Sequence, residues 1–97
     1  MIETVVEKFK EQGAKAAPIG GTIKFVLDDN PVYIDGTGHE NVVTQDDKEA
    51  DTVITTTIEV LGKLTRGEIN PMMAVMGGKV KIKGDMGLAM KLQSLLG

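Results

Sequence analysis

The sequence has no cysteine, a single histidine (His39) and a single serine (Ser94). Without cysteine there are no disulfides, no thiolate nucleophile and no cysteine-ligated zinc. The lone serine lies in the last apolar stretch, outside the strand–turn–helix setting that exposes a catalytic hydroxyl. The lone histidine sits between Gly38 and Glu40 in an expected loop, where a solvated side chain is the plain reading. A nucleophile–base pair is therefore missing. Aromatics are scarce too. Phe9, Phe25 and Tyr33 are the whole set, so the stacking platforms of nucleic-acid readers are absent. A net charge of −3 points away from nucleic acid as well. No run approaches the ~20 apolar residues that cross a bilayer. Residues 1–16 are broken by six charged side chains and lack the apolar core of a signal peptide. Ser94-Leu95-Leu96-Gly97 is not a peroxisomal address, so a cytoplasmic protein is expected.

Two further candidates for chemistry dissolve on spacing. Gly77-Gly78-Lys79 resembles the end of a phosphate loop, but that loop needs glycine at position 73, which is methionine. The carboxylates at Asp28, Asp29 and Asp35, and at Asp46, Asp47, Glu49 and Asp51, flank turns without the spacing of a calcium loop. The expectation is a non-catalytic protein with no cofactor and no metal.

What is present suits one domain over residues 1–97: 41% hydrophobic and 26% charged residues. Residues 2–16 carry Ile2, Val5, Val6 and Phe9 at helical spacing, ended by Pro18 and Gly20-Gly21. Residues 22–28 alternate as a strand, with Ile23, Phe25 and Leu27 on one face. Asp29-Asn30 is read as a turn into a second strand, Val32-Tyr33-Ile34, and residues 40–44 as a third. After a charged connection at 45–50, the β-branched run 51–57 predicts a fourth strand. Thr56 and Glu59 have capping-box spacing, predicting a helix that stops at Gly67. Asn70 caps a short helix with Pro71 at its first position. Residues 79–83 then alternate lysine with Val80 and Ile82, the pattern of a strand wet on one face. Asp85 caps a last helix, residues 86–96, that is apolar around most of its circumference.

Five of the six methionines fall between Met72 and Met90. Methionine is flexible and fills irregular apolar space, whether that space is a small core or a surface that takes varied shapes. The apolar last helix therefore has two readings. It packs on the sheet and on another helix or a dimer mate, or one of its sides faces a ligand cavity. The three lysines of 79–83 grip an anion or solvate a sheet edge.

The segment GKVKIKGDMGLAMKL, residues 78–92, resembles the C-terminal signature of the sterol carrier protein (SCP) sterol-binding domain, the non-specific lipid-transfer family. LTRGEINPM, residues 64–72, resembles the helix–turn before it, and Ala50-Asp51 the start of the preceding strand. The resemblance implies an α+β fold: a five-stranded mixed sheet in the order 3-2-1-4-5, with helices on one face enclosing an apolar tunnel. It implies non-catalytic binding and carriage of lipid-like ligands, among them sterols, fatty acids, fatty acyl-CoA and phospholipids. Two departures from the family, the missing peroxisomal tail and the bare domain, favour fatty acid or fatty acyl-CoA over sterol. Carried over, the ligand-binding residues are Phe25, Leu61, Leu64, Met72, Met73, Met76, Ile82, Met86, Met90 and Leu92. A small lipid is the expected partner and nucleic acid is not. Transient membrane contact and homodimerisation stay open. The other reading is a small interaction module that dimerises or docks on an enzyme through its apolar C-terminal helix.

Overall fold

The computed structural model describes residues 2–96, and the side chains among them except those of Pro71 and residues 92–96. Helix α1 (Ile2–Lys15) comes first, followed by strands β1 (Thr22–Leu27), β2 (Asn30–Asp35), β3 (Val42–Thr44) and β4 (Thr52–Thr56). Helices α2 (Ile58–Thr65) and α3 (Pro71–Met76), strand β5 (Lys81–Gly84) and helix α4 (Met86–Leu96) complete the chain. The five strands form one sheet in the order β3-β2-β1-β4-β5. Only β1 and β4 run parallel, with Ile23 opposite Thr52 and Leu27 opposite Thr56; the other three pairs are antiparallel. The strand order and the mixed sheet are those that the resemblance implied.

Side chains alternate across the pleat, so β1 turns Ile23, Phe25 and Leu27 to the helices and all three are buried. Val32 and Ile34 of β2, Val43 of β3 and Ile54 of β4 join them in the core. Helix α1 adds Val6 and Phe9, and Phe9 stacks on Phe25 with ring centroids 4.9 Å apart. Helix α1 packs against β3 and α4, and α4 packs across β1, β4 and β5.

The β1–β2 turn is displaced by one residue from its expected place. Strand β1 ends at Leu27, and Asp28 and Asp29 form the two-residue loop, both with positive φ (49° and 68°). That backbone matches the twist of a tight hairpin, and aspartate tolerates it better than most side chains. The Asn30 side-chain amide donates to the carbonyls of Leu27 and Asp28 and secures the loop. The expected capping box also shifts. Thr57, not Thr56, is the N-cap of α2, accepting from Val60 N–H at 3.0 Å. Thr56 is buried and its hydroxyl donates to the Lys79 carbonyl at 2.8 Å. In a run of three threonines, the pleat sends one side chain inward and leaves the next free to cap. Asn70 and Asp85 cap α3 and α4 as expected, accepting from Met72 N–H and Gly87 N–H.

Candidate functional site

Helix α2 follows β4 at the C-terminal end of the parallel pair, and the first half of α1 lies beside it. An open groove of about 760 Å³ runs between them. Its apolar lining is Val5 and Phe9 from α1 and Ile58 and Leu61 from α2. Amphipathic spacing explains this placement. Val5 and Phe9 are one helical turn apart, and so in effect are Ile58 and Leu61, so each helix offers a ridge to the space between. Phe9 and Leu61 are buried, while Val5 and Ile58 are half-buried. Phe9 is held from the sheet side by its stacking on Phe25.

The rim is polar. Lys8, Glu11 and Gln12 of α1 face Asp28, Glu59, Thr65 and Arg66. Asp28 is tied down, since one carboxylate oxygen accepts from Ile58 N–H at 3.2 Å. Arg66 pairs with Glu68, and Lys63 with Glu59 at 3.7 Å across one turn of α2. The groove thus has an apolar floor and a rim of mixed charge. Away from it, the Thr37 hydroxyl and N–H both donate to Asp35 and hold its carboxyl below the usual carboxylate range.

The residues named in advance for ligand binding fall into three sets. Leu61 borders the groove, Phe25 lies under Phe9, and Leu64 and Ile82 are half-buried against the core. Met72, Met73 and Met76 of α3 and Met86 and Met90 of α4 point outward, between 54% and 80% exposed, and none borders the groove. Leu92 has its side chain outside the described residues. Sequence reasoning did not name Val5, Phe9 or Ile58 for the site. Val5 and Phe9 were legible as an apolar stripe, but which element faces that stripe is a tertiary fact.

A buried polar contact fixes the far end of α1. The Asn41 side-chain amide donates to the carbonyls of Gly13 (3.2 Å) and Ala17 (3.1 Å), and its oxygen accepts from Ile19 N–H (3.0 Å). One side chain thereby satisfies three backbone groups where the helix ends. It anchors the C-terminal end of α1 near β3.

Among the described residues, no helix is long and apolar enough to cross a membrane.

Comparison with known proteins agrees with the fold. Sterol carrier protein 2 from Rattus norvegicus is 38% identical over 103 residues, which take in 98% of this chain. The chain spans 19% of that relative's length. The crystal structure of sterol carrier protein 2-like 2 from Aedes aegypti superposes with a TM-score of 0.76 at 19% identity, covering 94% of this chain and 92% of that one. A solution structure of the palmitated form of the Aedes aegypti protein gives a TM-score of 0.72 at 19% identity, with coverage of 98% and 93%. The family model described as the SCP-2 sterol transfer family matches residues 2–97, and the chain belongs to that family.

Proposed function

We propose that this chain is a non-catalytic carrier of single-chain lipids, and that the groove between α1 and α2 receives the acyl chain. The observation that carries this reading is the juxtaposition of four apolar side chains, Val5, Phe9, Ile58 and Leu61, around one open groove. The groove's size falls within the ~300–1,000 Å³ typical of small-molecule sites. Its lining offers apolar contact without a convergent set of polar groups, which suits a chain more than a ring system bearing fixed hydroxyls. The palmitated relative supports an acyl ligand, and the family description supports lipid transfer. Fatty acid and fatty acyl-CoA are the favoured cargo, ahead of sterol or phospholipid. Lys8 and Arg66 at the rim would meet the anionic end of either.

The energetics are adequate. Burial contributes about 0.8 kcal/mol per methylene, so a ~14-carbon chain gains roughly 11 kcal/mol gross. Lost translational freedom and ordering remove several kcal/mol of that, which leaves affinity in the micromolar range.

The test is displacement of a fluorescent fatty acid, combined with native mass spectrometry of protein purified without detergent. Val5→Asp and Ile58→Asp change half-buried groove positions. Each is expected to raise the Kd for fatty acid at least tenfold while the protein remains folded by circular dichroism. Unchanged affinity in both folded variants would sink the groove assignment. Failure of the wild-type protein to take up fatty acid, acyl-CoA, sterol or phospholipid would sink the carrier reading itself.

A further inference from the structure

Strand β5 is the outermost strand on its side of the sheet, and it pairs with β4 alone. Antiparallel pairing sends the backbone groups of alternate residues towards the neighbour and those between them away from it. One bond at the end of the strand fixes the phase. Asp85 N–H donates to the Asp51 carbonyl at 3.0 Å, and these two residues continue the register that sets Gly84 opposite Thr52. Counting back by twos, Lys83 and Lys81 turn their N–H and C=O groups to β4. Planar peptide units then point the Val80 C=O, the Ile82 N–H and C=O and the Gly84 N–H away from β4, at the open edge. The Val80 N–H points the same way. It is taken by the Ala74 carbonyl (3.2 Å), which also accepts from Lys79 N–H (2.9 Å) in the tight turn from α3 into β5. Among the described residues, the other four groups have no backbone partner.

The side chains of this edge alternate as well. Ile82, opposite buried Ile54, packs against the core on the helix side. Lys81, opposite Thr55, and Lys83, opposite Val53, stand on the face of the sheet away from the helices. Both are exposed, and among the described residues no ion pair engages them. They belong to a basic segment of an acidic chain. Residues 71–97 carry four lysines and one acidic residue, net +3, whereas residues 1–70 carry seven basic and thirteen acidic residues, net −6. An acidic partner is therefore repelled by most of the chain and drawn to this edge.

We propose that β5 is a docking edge for an acidic segment of another protein, which adds to the five-stranded sheet as a further strand. Its backbone would bond to Ile82 and Gly84, where the sheet now ends. Two acidic side chains at i and i+2, about 7 Å apart, match Lys81 and Lys83. The residue between them falls beside Ile82 on the helix side and is apolar. The recognised pattern is thus acidic–apolar–acidic in an extended chain. A second copy of this chain fits poorly, because two β5 edges brought together set lysine beside lysine. Lysine at an edge guards against self-pairing and, by the same charge, admits an acidic strand. The proposal does not depend on what the α1–α2 groove binds.

The probe is a short fluorescent peptide that alternates glutamate with valine, followed by anisotropy. It is expected to bind with a Kd below about 1 mM, and roughly tenfold more tightly than a peptide alternating lysine with valine. Grouping the glutamates together at the same composition is expected to weaken binding roughly fivefold. N-methylation of the central residues keeps the charge and removes the backbone donors, and about a tenfold loss is expected. Lys81→Glu with Lys83→Glu is expected to reverse the preference, so that the lysine peptide binds and the glutamate peptide does not. If that pair fails to fold, Lys81→Gln with Lys83→Gln is read for loss of the preference. In the bound wild-type protein, amide exchange should slow at Ile82 and Gly84, whose N–H groups point outward. It should change little at Lys81 and Lys83, whose N–H groups already bond to β4. Absence of binding by the glutamate peptide, equal binding of the lysine or N-methylated peptide, or slowed exchange that spares Ile82 and Gly84 would overturn the proposal. So would a wild-type dimer in sedimentation velocity with Ile82 already protected, because a second copy would then hold the edge.

Discussion

Helices α1 and α3 are both written with closely spaced apolar residues, yet they spend them in opposite ways. Helix α1 buries Val6, Phe9 and Gly13, stacks Phe9 on Phe25, and has its end clamped by Asn41. Helix α3 buries one alanine and presents three methionines to solvent. The difference lies in amphipathicity. Charges between the apolar positions of α1 leave one face able to enter the core. Helix α3 has six residues and no charge. Nothing in its composition selects an inward face, and its caps and the tight turn into β5 decide the orientation. An apolar helix is thus not evidence of a core helix until its neighbours are known.

Three variants probe this contrast, in decreasing order of expected effect. Phe9→Ala removes a ring only 4% exposed and leaves a void over Phe25. A loss of about 3–5 kcal/mol is expected by denaturant titration. A small loss would mean that α1 is not held by its core stripe. Asn41→Leu strips the carbonyls of Gly13 and Ala17 and the N–H of Ile19 of their shared partner. Roughly 1–3 kcal/mol should be lost, with faster amide exchange at Ile19 as the local signature. The double substitution Met73→Ala and Met76→Ala should change stability by no more than about 0.5 kcal/mol, as surface changes do. A loss near that of Phe9→Ala would show that α3 turns inward in solution, and the difference between the two helices would vanish.

Much of the architecture was legible in the sequence. The alternation of 22–28 gave β1 its inward face, the lysine alternation of 79–83 gave β5 its wet face, and Asn70 and Asp85 marked two helix starts. The strand order came from the resemblance of residues 64–72 and 78–92 to a known domain, because pairing of β1 with β4 is non-local and leaves no periodic trace. Two kinds of information were not legible. Thr56 and Thr57 are chemically equivalent, and only the pleat decides that the first bonds to Lys79 and the second caps α2. Asn41 follows a glycine-rich turn where asparagine ordinarily means a loop, so its three buried hydrogen bonds could not be foreseen. The groove belongs to the same class. Val5 and Phe9 could be seen as a stripe, but Ile58 and Leu61 face them only because β4 delivers α2 to that end of the sheet.

The parallel pairing of β1 with β4 also has a kinetic consequence. The β1–β2 hairpin closes through a two-residue loop, whereas β4 can reach β1 only after the intervening meander and its connection have been laid down. Local closure is quick and distant closure is slow, because chain entropy must be overcome before the contacts form. Residues of α1 and α2 meet across the groove only once that late step is complete. A nascent or half-folded chain therefore lacks the assembled groove, and on the proposed function loading waits on maturation.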